Sequence, residues 1–258
     1  ENMLDTYVKE NKLAWDSVAI QSSKDFNYQL SSHTIEELRR ALPKLNVNLA
    51  HSGELDISRY ENLECDVKNV RKDFLDNGYG VVLITGLDTE VFPVLAQKSI
   101  YLMIGNLLGT LMIQNAKGEE FISVKDTGAS MKSGGRYHQT KEGGSLHTDS
   151  PQFEEIPDYI GLLCMHGAKS GGQSRLISAY SVHNRMLTEH PTLLDTLYEE
   201  FHFDKRGDFE QGESPTTFQP IFKYDGSELS FRYLVDYIKA GHKLADSPLT
   251  DTKVKALN

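Results

Sequence analysis

The sequence predicts an α+β chain, mainly β, built as a sandwich or barrel with surrounding helices. Three observations carry this reading. From Gly109 onward, short apolar stretches alternate with Gly-rich turns, the pattern of many short strands rather than of βαβ units. Asp225-Gly226 lies between the apolar runs 221–224 and 229–233, a strong hairpin signal. No GxGxxG and no P-loop occurs, so a doubly wound nucleotide-binding sheet lacks its fingerprint.

The first 108 residues read as mixed helix and strand. Residues 34–42 form a short helix, with Ser32 or Thr34 as its cap and Glu36-Glu37 in its first turn. Cys65, Val67, Val70 and Phe74 give residues 64–76 helical apolar spacing, ended by Asn77-Gly78-Tyr79-Gly80. A buried strand is expected over 81–85, then a long helix from Asp88 to about Leu108.

From 109 to 258, the predicted barrel core, strands are expected over 111–114, 121–125, 145–149, 159–166 and 174–178. Helices interrupt at 182–189 and 193–200, and the hairpin follows. Gly241-His242-Lys243-Leu244 reads as a helix end, and 250–258 as the start of another helix. The expected organisation is one domain, with 1–108 packed on the core of 109–258.

Composition narrows the function classes. The 258 residues carry a formal net charge of −10, against a nucleic-acid surface, which needs a basic patch. Cys65 and Cys164 make neither a disulfide framework nor a CxxC pair, so a reducing, cytoplasmic setting is expected. The apolar runs are far short of a membrane span, and the acidic start Glu1-Asn2-Met3-Leu4-Asp5 does not resemble a secretory signal. The expected partner is a small-molecule substrate, with neither nucleic acid nor membrane; a homodimer is left open.

The chemistry centres on His147-Thr148-Asp149, within Gly143-Gly144-Ser145-Leu146-His147-Thr148-Asp149-Ser150. Residues two apart on a strand share a face, so an imidazole and a carboxylate would stand side by side. With a second His from elsewhere they make the 2-His-1-carboxylate triad of non-haem iron. HxD alone arises readily by chance, and a second copy, His202-Phe203-Asp204, lies in a charged stretch after a helix; it reads as a surface strand.

Context turns the first copy into a signature. Leu146-His147-Thr148-Asp149-Ser150, the apolar run Tyr159-Ile160-Gly161-Leu162-Leu163-Cys164, and Gly171-Gly172-Gln173-Ser174 resemble the taurine dioxygenase (TauD/TfdA) and clavaminate synthase-like 2-oxoglutarate oxygenases. Ser174 follows His147 by 27 residues, the spacing expected of that family. The resemblance runs from about Gly78 to Tyr233. It implies a double-stranded β-helix, a jelly-roll, cupin-like barrel. It implies that His147 and Asp149 ligate Fe(II) and that Ser174 hydrogen-bonds a carboxylate of 2-oxoglutarate. O2 then oxidises an unactivated C–H of a small polar metabolite, an amino acid or a compound derived from one, with succinate and CO2 as co-products. Halogenases of this superfamily replace the carboxylate with Gly or Ala; Asp149 favours hydroxylation.

The family also needs a distal His and, about ten residues later, an Arg for the far carboxylate of 2-oxoglutarate. Only His242 is late enough, with Lys253 following it by 11 residues, and both lie in helical surroundings. The expectation is that further strands beyond residue 258 supply both groups. If they are truly absent, the alternative is a catalytically silent jelly-roll binding protein. Gln114, Arg136, His138 and Arg232 are candidate substrate contacts: Arg136 and His138 in a Gly-rich covering loop, Arg232 alternating with apolar neighbours.

Overall fold

The computed structural model of the chain describes residues 3–8, 12–20, 22–49, 51–115, 117–124, 144–167 and 169–258. It divides into two compact units: Lys9–Ile113 with Gly161–Ser178, and Glu1–Val8 with Gln114–Ile160 and Ala179–Asn258.

In the unit built on Lys9–Ile113, strand β1 (Asn27–Gln29) pairs in parallel with β2 (Leu83–Thr85). The segment expected as a buried strand is thus short, and Leu83 is 53% exposed, because a two-stranded ribbon covers few of its side chains. Helix α1 (Ser32–Arg40) is capped one residue earlier than expected: Ser31, in extended backbone, accepts the amide of Thr34. A short helix, α2 (Leu42–Leu45), follows, then α3 (Glu61–Asn69). The apolar spacing that continues to Asp76 is delivered by a π-helical turn over Val70–Asp76, a wider winding that the period alone does not separate from α-helix. Helix α4 spans Val94–Leu108 rather than starting at Asp88. Pro93 disfavours helical backbone at the residue before it, and Asp88 closes its own turn by accepting the amides of Val91 and Phe92. Buried Asp66 joins α3 to the start of α1, accepting the Tyr28 hydroxyl at 2.7 Å and the Ser31 amide at 2.8 Å. Leu30, Leu38, Leu63, Val67, Phe92, Ile100 and Met103 fill this core, each fully buried side chain contributing about 1.5–3 kcal/mol.

The other unit is built on α5 (Ala179–Glu189), α6 (Pro191–Leu197), the antiparallel pair β3 (Glu200–Asp204) and β4 (Thr216–Pro220), the hairpin β5 (Phe222–Tyr224) and β6 (Leu229–Phe231), α7 (Val235–Leu244) and α8 (Asp251–Ala256). The hairpin forms where Asp225-Gly226 predicts it. Asp225 Oδ1 accepts the amides of Ser227 and Glu228 and the Ser227 hydroxyl, and these donors hold its carboxyl down to about 2. Leu194, Leu197, Phe201, Phe203, Phe222 and Ile238 form the core. Helix α7 lies directly on β3, and Gly241 is the point of contact: a Cβ there would collide with the backbone of His202.

Two expectations are not reproduced among the described residues. Helix outweighs strand, and the sheets are three two-stranded pairs. None of the strands expected between 109 and 178 forms a ladder; Leu162, Leu176 and Ile177 are more than half exposed. Apolar spacing states that a face wants cover, but only a paired backbone makes a strand. No described helix is long and apolar enough to cross a membrane.

Gly241→Ala is expected to destabilise the protein by about 1–3 kcal/mol through overpacking of α7 on β3, read as a lower urea midpoint. An unchanged midpoint would show that α7 shifts away without cost.

Candidate functional site

His147 and Asp149 stand side by side, although on irregular backbone rather than on the expected strand. His147 Nε2 lies 3.6 Å from Asp149 Oδ1. His147 Nδ1 lies 2.6 Å from the Ser145 carbonyl. A carbonyl can only accept, so Nδ1 is the donor, and Nε2 is left facing the carboxylate. The Asp149 carboxylate holds the His147 pKa above its ordinary value; the Ser145 carbonyl adds to this and burial opposes it.

This donor set suits a divalent ion. Two donors at roughly 2.1 Å from one ion and at right angles about it stand about 3 Å apart, a small closure from the observed 3.6 Å. A ligating imidazole characteristically donates its other N–H to a carbonyl, as Nδ1 does to Ser145. Among the described residues no group of three or more His, Cys, Asp or Glu gathers as a complete metal site.

The segment carrying the pair is fastened to the end of β6. The Thr148 amide donates to the Tyr233 carbonyl at 2.8 Å, and the Tyr233 amide donates to Thr148 Oγ1 at 2.9 Å. Farther along, the Thr217 hydroxyl donates to the Gln152 carbonyl, and Gln219 Nε2 donates to Glu154 Oε2 at 3.1 Å. Between the two groups of contacts, Ser150 adopts a left-handed φ of 52°, uncommon for a residue with a Cβ. Gln152, Phe153, Glu154, Lys205, Asp208 and Thr217 line a cavity of about 200 Å³ beside this segment, and the Gln152 Oε1 is buried there without a hydrogen-bond partner.

The other candidates are placed as follows. Ser174 is exposed in the unit built on Lys9–Ile113, just after Gly171 and Gly172, whose φ values of 73° and 74° require glycine. Gln114 lies at a turn, its amide donating to Glu119 O at 2.7 Å. Arg136 and His138 fall outside the described residues. Arg232 corrects its expectation: it is 8% exposed, and its guanidinium donates to the carbonyls of Pro151, Phe153 and Glu154 rather than presenting itself to a substrate carboxylate.

Two further histidines, His242 and His202, have structural partners. His242 Nδ1 donates to Ser247 O at 2.6 Å, and Nε2 accepts the His202 amide at 3.2 Å. Both nitrogens are spent, which removes His242 as a third ligand in this arrangement. Lys253 donates to Glu200 O and sits over the Phe201 ring. His202 is on β3 opposite Phe218, with Nδ1 at 3.0 Å from Thr216 Oγ1; the second HxD lies on a strand, as expected, but Asp204 is buried there rather than at the surface. Thr148, Ser150 and Tyr233 were not singled out by sequence; two of them act through the backbone, which leaves no residue-type signal.

Comparison with known proteins gives the following. The family model described as "Taurine catabolism dioxygenase TauD, TfdA family" matches residues 35–248. FR-33289 synthase of Streptomyces rubellomurinus is 30% identical over 224 residues, covering 86% of this chain and 64% of the relative. The taurine hydroxylase-like protein SAT17 of Stachybotrys chartarum is 20% identical over 228 residues, covering 87% of this chain and 58% of the relative. The chain therefore spans about three-fifths of the length of these relatives.

Two measurements check this geometry. Ser150→Gly should be neutral or stabilising, whereas Ser150→Val should cost about 1–3 kcal/mol, the range for forcing a branched side chain into left-handed backbone; equal urea midpoints would refute the strained turn. Burial lowers the pKa of His183, His202 and His242, so between the folded and unfolded values the unfolded chain binds more protons. Stability should thus be retained above about pH 6.5 and fall as the pH drops below it, with His147 working in the opposite sense. A urea midpoint constant from pH 8 to 5 would contradict this.

Proposed function

The chain belongs to the taurine catabolism dioxygenase TauD, TfdA family, and on that premise we propose that it acts as an Fe(II)- and 2-oxoglutarate-dependent oxygenase. Its reaction is hydroxylation of an unactivated C–H bond in a small polar metabolite, an amino acid or amino-acid-derived compound, with succinate and CO2 as co-products. The observation that carries this reading is the facing pair of His147 Nε2 and Asp149 Oδ1, with Nδ1 committed to the Ser145 carbonyl.

His147 and Asp149 would hold the iron, which, when bound with the co-substrate, supplies the activation of O2. The chain's own contribution is positional. Ser145 fixes the imidazole tautomer, so that only Nε2 is offered to the ion. Asp149 gives a negative donor beside it and fills the position that a halide would need. Ser174 is assigned to a carboxylate of 2-oxoglutarate by its place after the Gly171-Gly172 turn. The family premise further implies that the apolar stretches from 111 to 178 belong to a double-stranded β-helix. The third protein ligand is assigned to no described residue; if the distal His and Arg are truly absent, the second reading is a catalytically silent binding protein of the same fold.

Succinate formation separates the two. With Fe(II), 2-oxoglutarate and a panel of small polar carboxylates and amino acids, the protein should release succinate. His147→Ala or Asp149→Ala should lower the rate by more than about a hundredfold, beyond the loss typical of a residue that only supports a ligand. Succinate release unaffected by either substitution would remove the pair from the site; no release with any panel member from a protein that still binds 2-oxoglutarate would favour the silent reading.

A further inference from the structure

We propose that Arg232 is a positioning residue for the metal-binding segment, holding the backbone on the far side of Asp149 so that its carboxylate stays opposed to His147. The inference rests on the reading of His147 and Asp149 as metal ligands.

Arg232 Nη1 donates to Pro151 O at 3.0 Å and to Phe153 O at 2.6 Å, and Nη2 donates to Glu154 O at 3.1 Å. The hydrogen-bond acceptors are all backbone carbonyls, the Glu154 carboxylate acting on the guanidinium only through space, and the side chain is 8% exposed. Burying a cation that no anion hydrogen-bonds is costly, and an apolar side chain of similar size would fill the space without desolvating a charge. What a guanidinium adds is its shape: a rigid planar fork reaches three carbonyls of one loop from a single point.

The next residue holds the other end. Tyr233 holds Thr148 by two hydrogen bonds, its carbonyl accepting the Thr148 amide and its amide donating to the Thr148 side-chain Oγ1. Two consecutive residues thus fix positions 148 and 151, one on each side of Asp149. The short span between them contains the left-handed Ser150, a conformation that persists when its surroundings over-determine it. Release of the Arg232 end lets Ser150 relax toward ordinary backbone, and Asp149 moves with it.

A residue that only stabilises the fold would change the unfolding midpoint and leave the metal affinity of the folded protein alone. The test therefore reads metal binding directly. Co(II), as a spectroscopic substitute for Fe(II), is titrated into the unsubstituted protein, Arg232→Lys, Arg232→Met and His147→Ala, with folding verified by circular dichroism. Arg232→Met should weaken Co(II) binding by about 10–100-fold, the usual effect of losing an outer partner of a ligand. Arg232→Lys should recover only part of this, since an ammonium keeps the charge but not the fork. If Arg232→Met does not fold, Thr148→Val, which removes the acceptor of the Tyr233 amide, should weaken binding in the same direction. Folded Arg232 variants that bind Co(II) as tightly as the unsubstituted protein, while His147→Ala does not bind, would overturn this inference alone. No Co(II) binding by the unsubstituted protein would overturn the metal reading and the inference with it.

Discussion

Residues 232 and 233, just past β6, carry the hydrogen bonds on which the geometry of His147 and Asp149 depends. The hairpin of β5 and β6 brings them there, and its core is Phe222 and Leu229 packed with Phe201, Phe203 and Ile238. From that base the Tyr233 backbone takes hold of Thr148, and the Arg232 guanidinium takes hold of the carbonyls from Pro151 to Glu154. An irregular segment, with no ladder of its own, acquires a defined course. The side-by-side pair that strand alternation predicts is reached by other means, through two clamps and a strained turn.

The two HxD copies show what surroundings do to one tripeptide. In β3, His202 meets Thr216 and His242, and Asp204 turns back to Arg206, accepting its amide and pairing with its guanidinium at 3.1 Å. The His202 amide and Nδ1 and both Asp204 oxygens there have structural partners. At His147, Nδ1 is tied to the Ser145 carbonyl, and the Asp149 carboxylate and Nε2 face one another. Residue types are the same; the partners decide which copy can take a metal.

Much of the helical and hairpin structure was legible in the sequence, because caps, apolar period and the Asp225-Gly226 turn are local signals. The family was legible for a related reason: the His147, Asp149 and Ser174 motifs carry their spacing in the chain itself. What was not legible depends on distant partners. Pairing of β1 with β2 in parallel, the absence of ladders among the described residues between 109 and 178, and the π-helical turn after Asn69 each follow from what packs against a segment. Arg232 is the clearest case. The sequence offered it as a substrate contact, but its acceptors are carbonyls of residues some eighty positions earlier, and carbonyls have no sequence signature.

That the clamp grips carbonyls has a consequence for how this segment can change. Arg232 holds Pro151, Phe153 and Glu154 by atoms that every residue type possesses, while the side chains of Gln152, Phe153 and Glu154 face the adjoining cavity. Position and lining are thus carried by different atoms of the same residues. Substitutions among these lining side chains can alter the size and polarity of the cavity while the backbone that orients Asp149 keeps its anchors, so the segment can diversify without surrendering the geometry next to it.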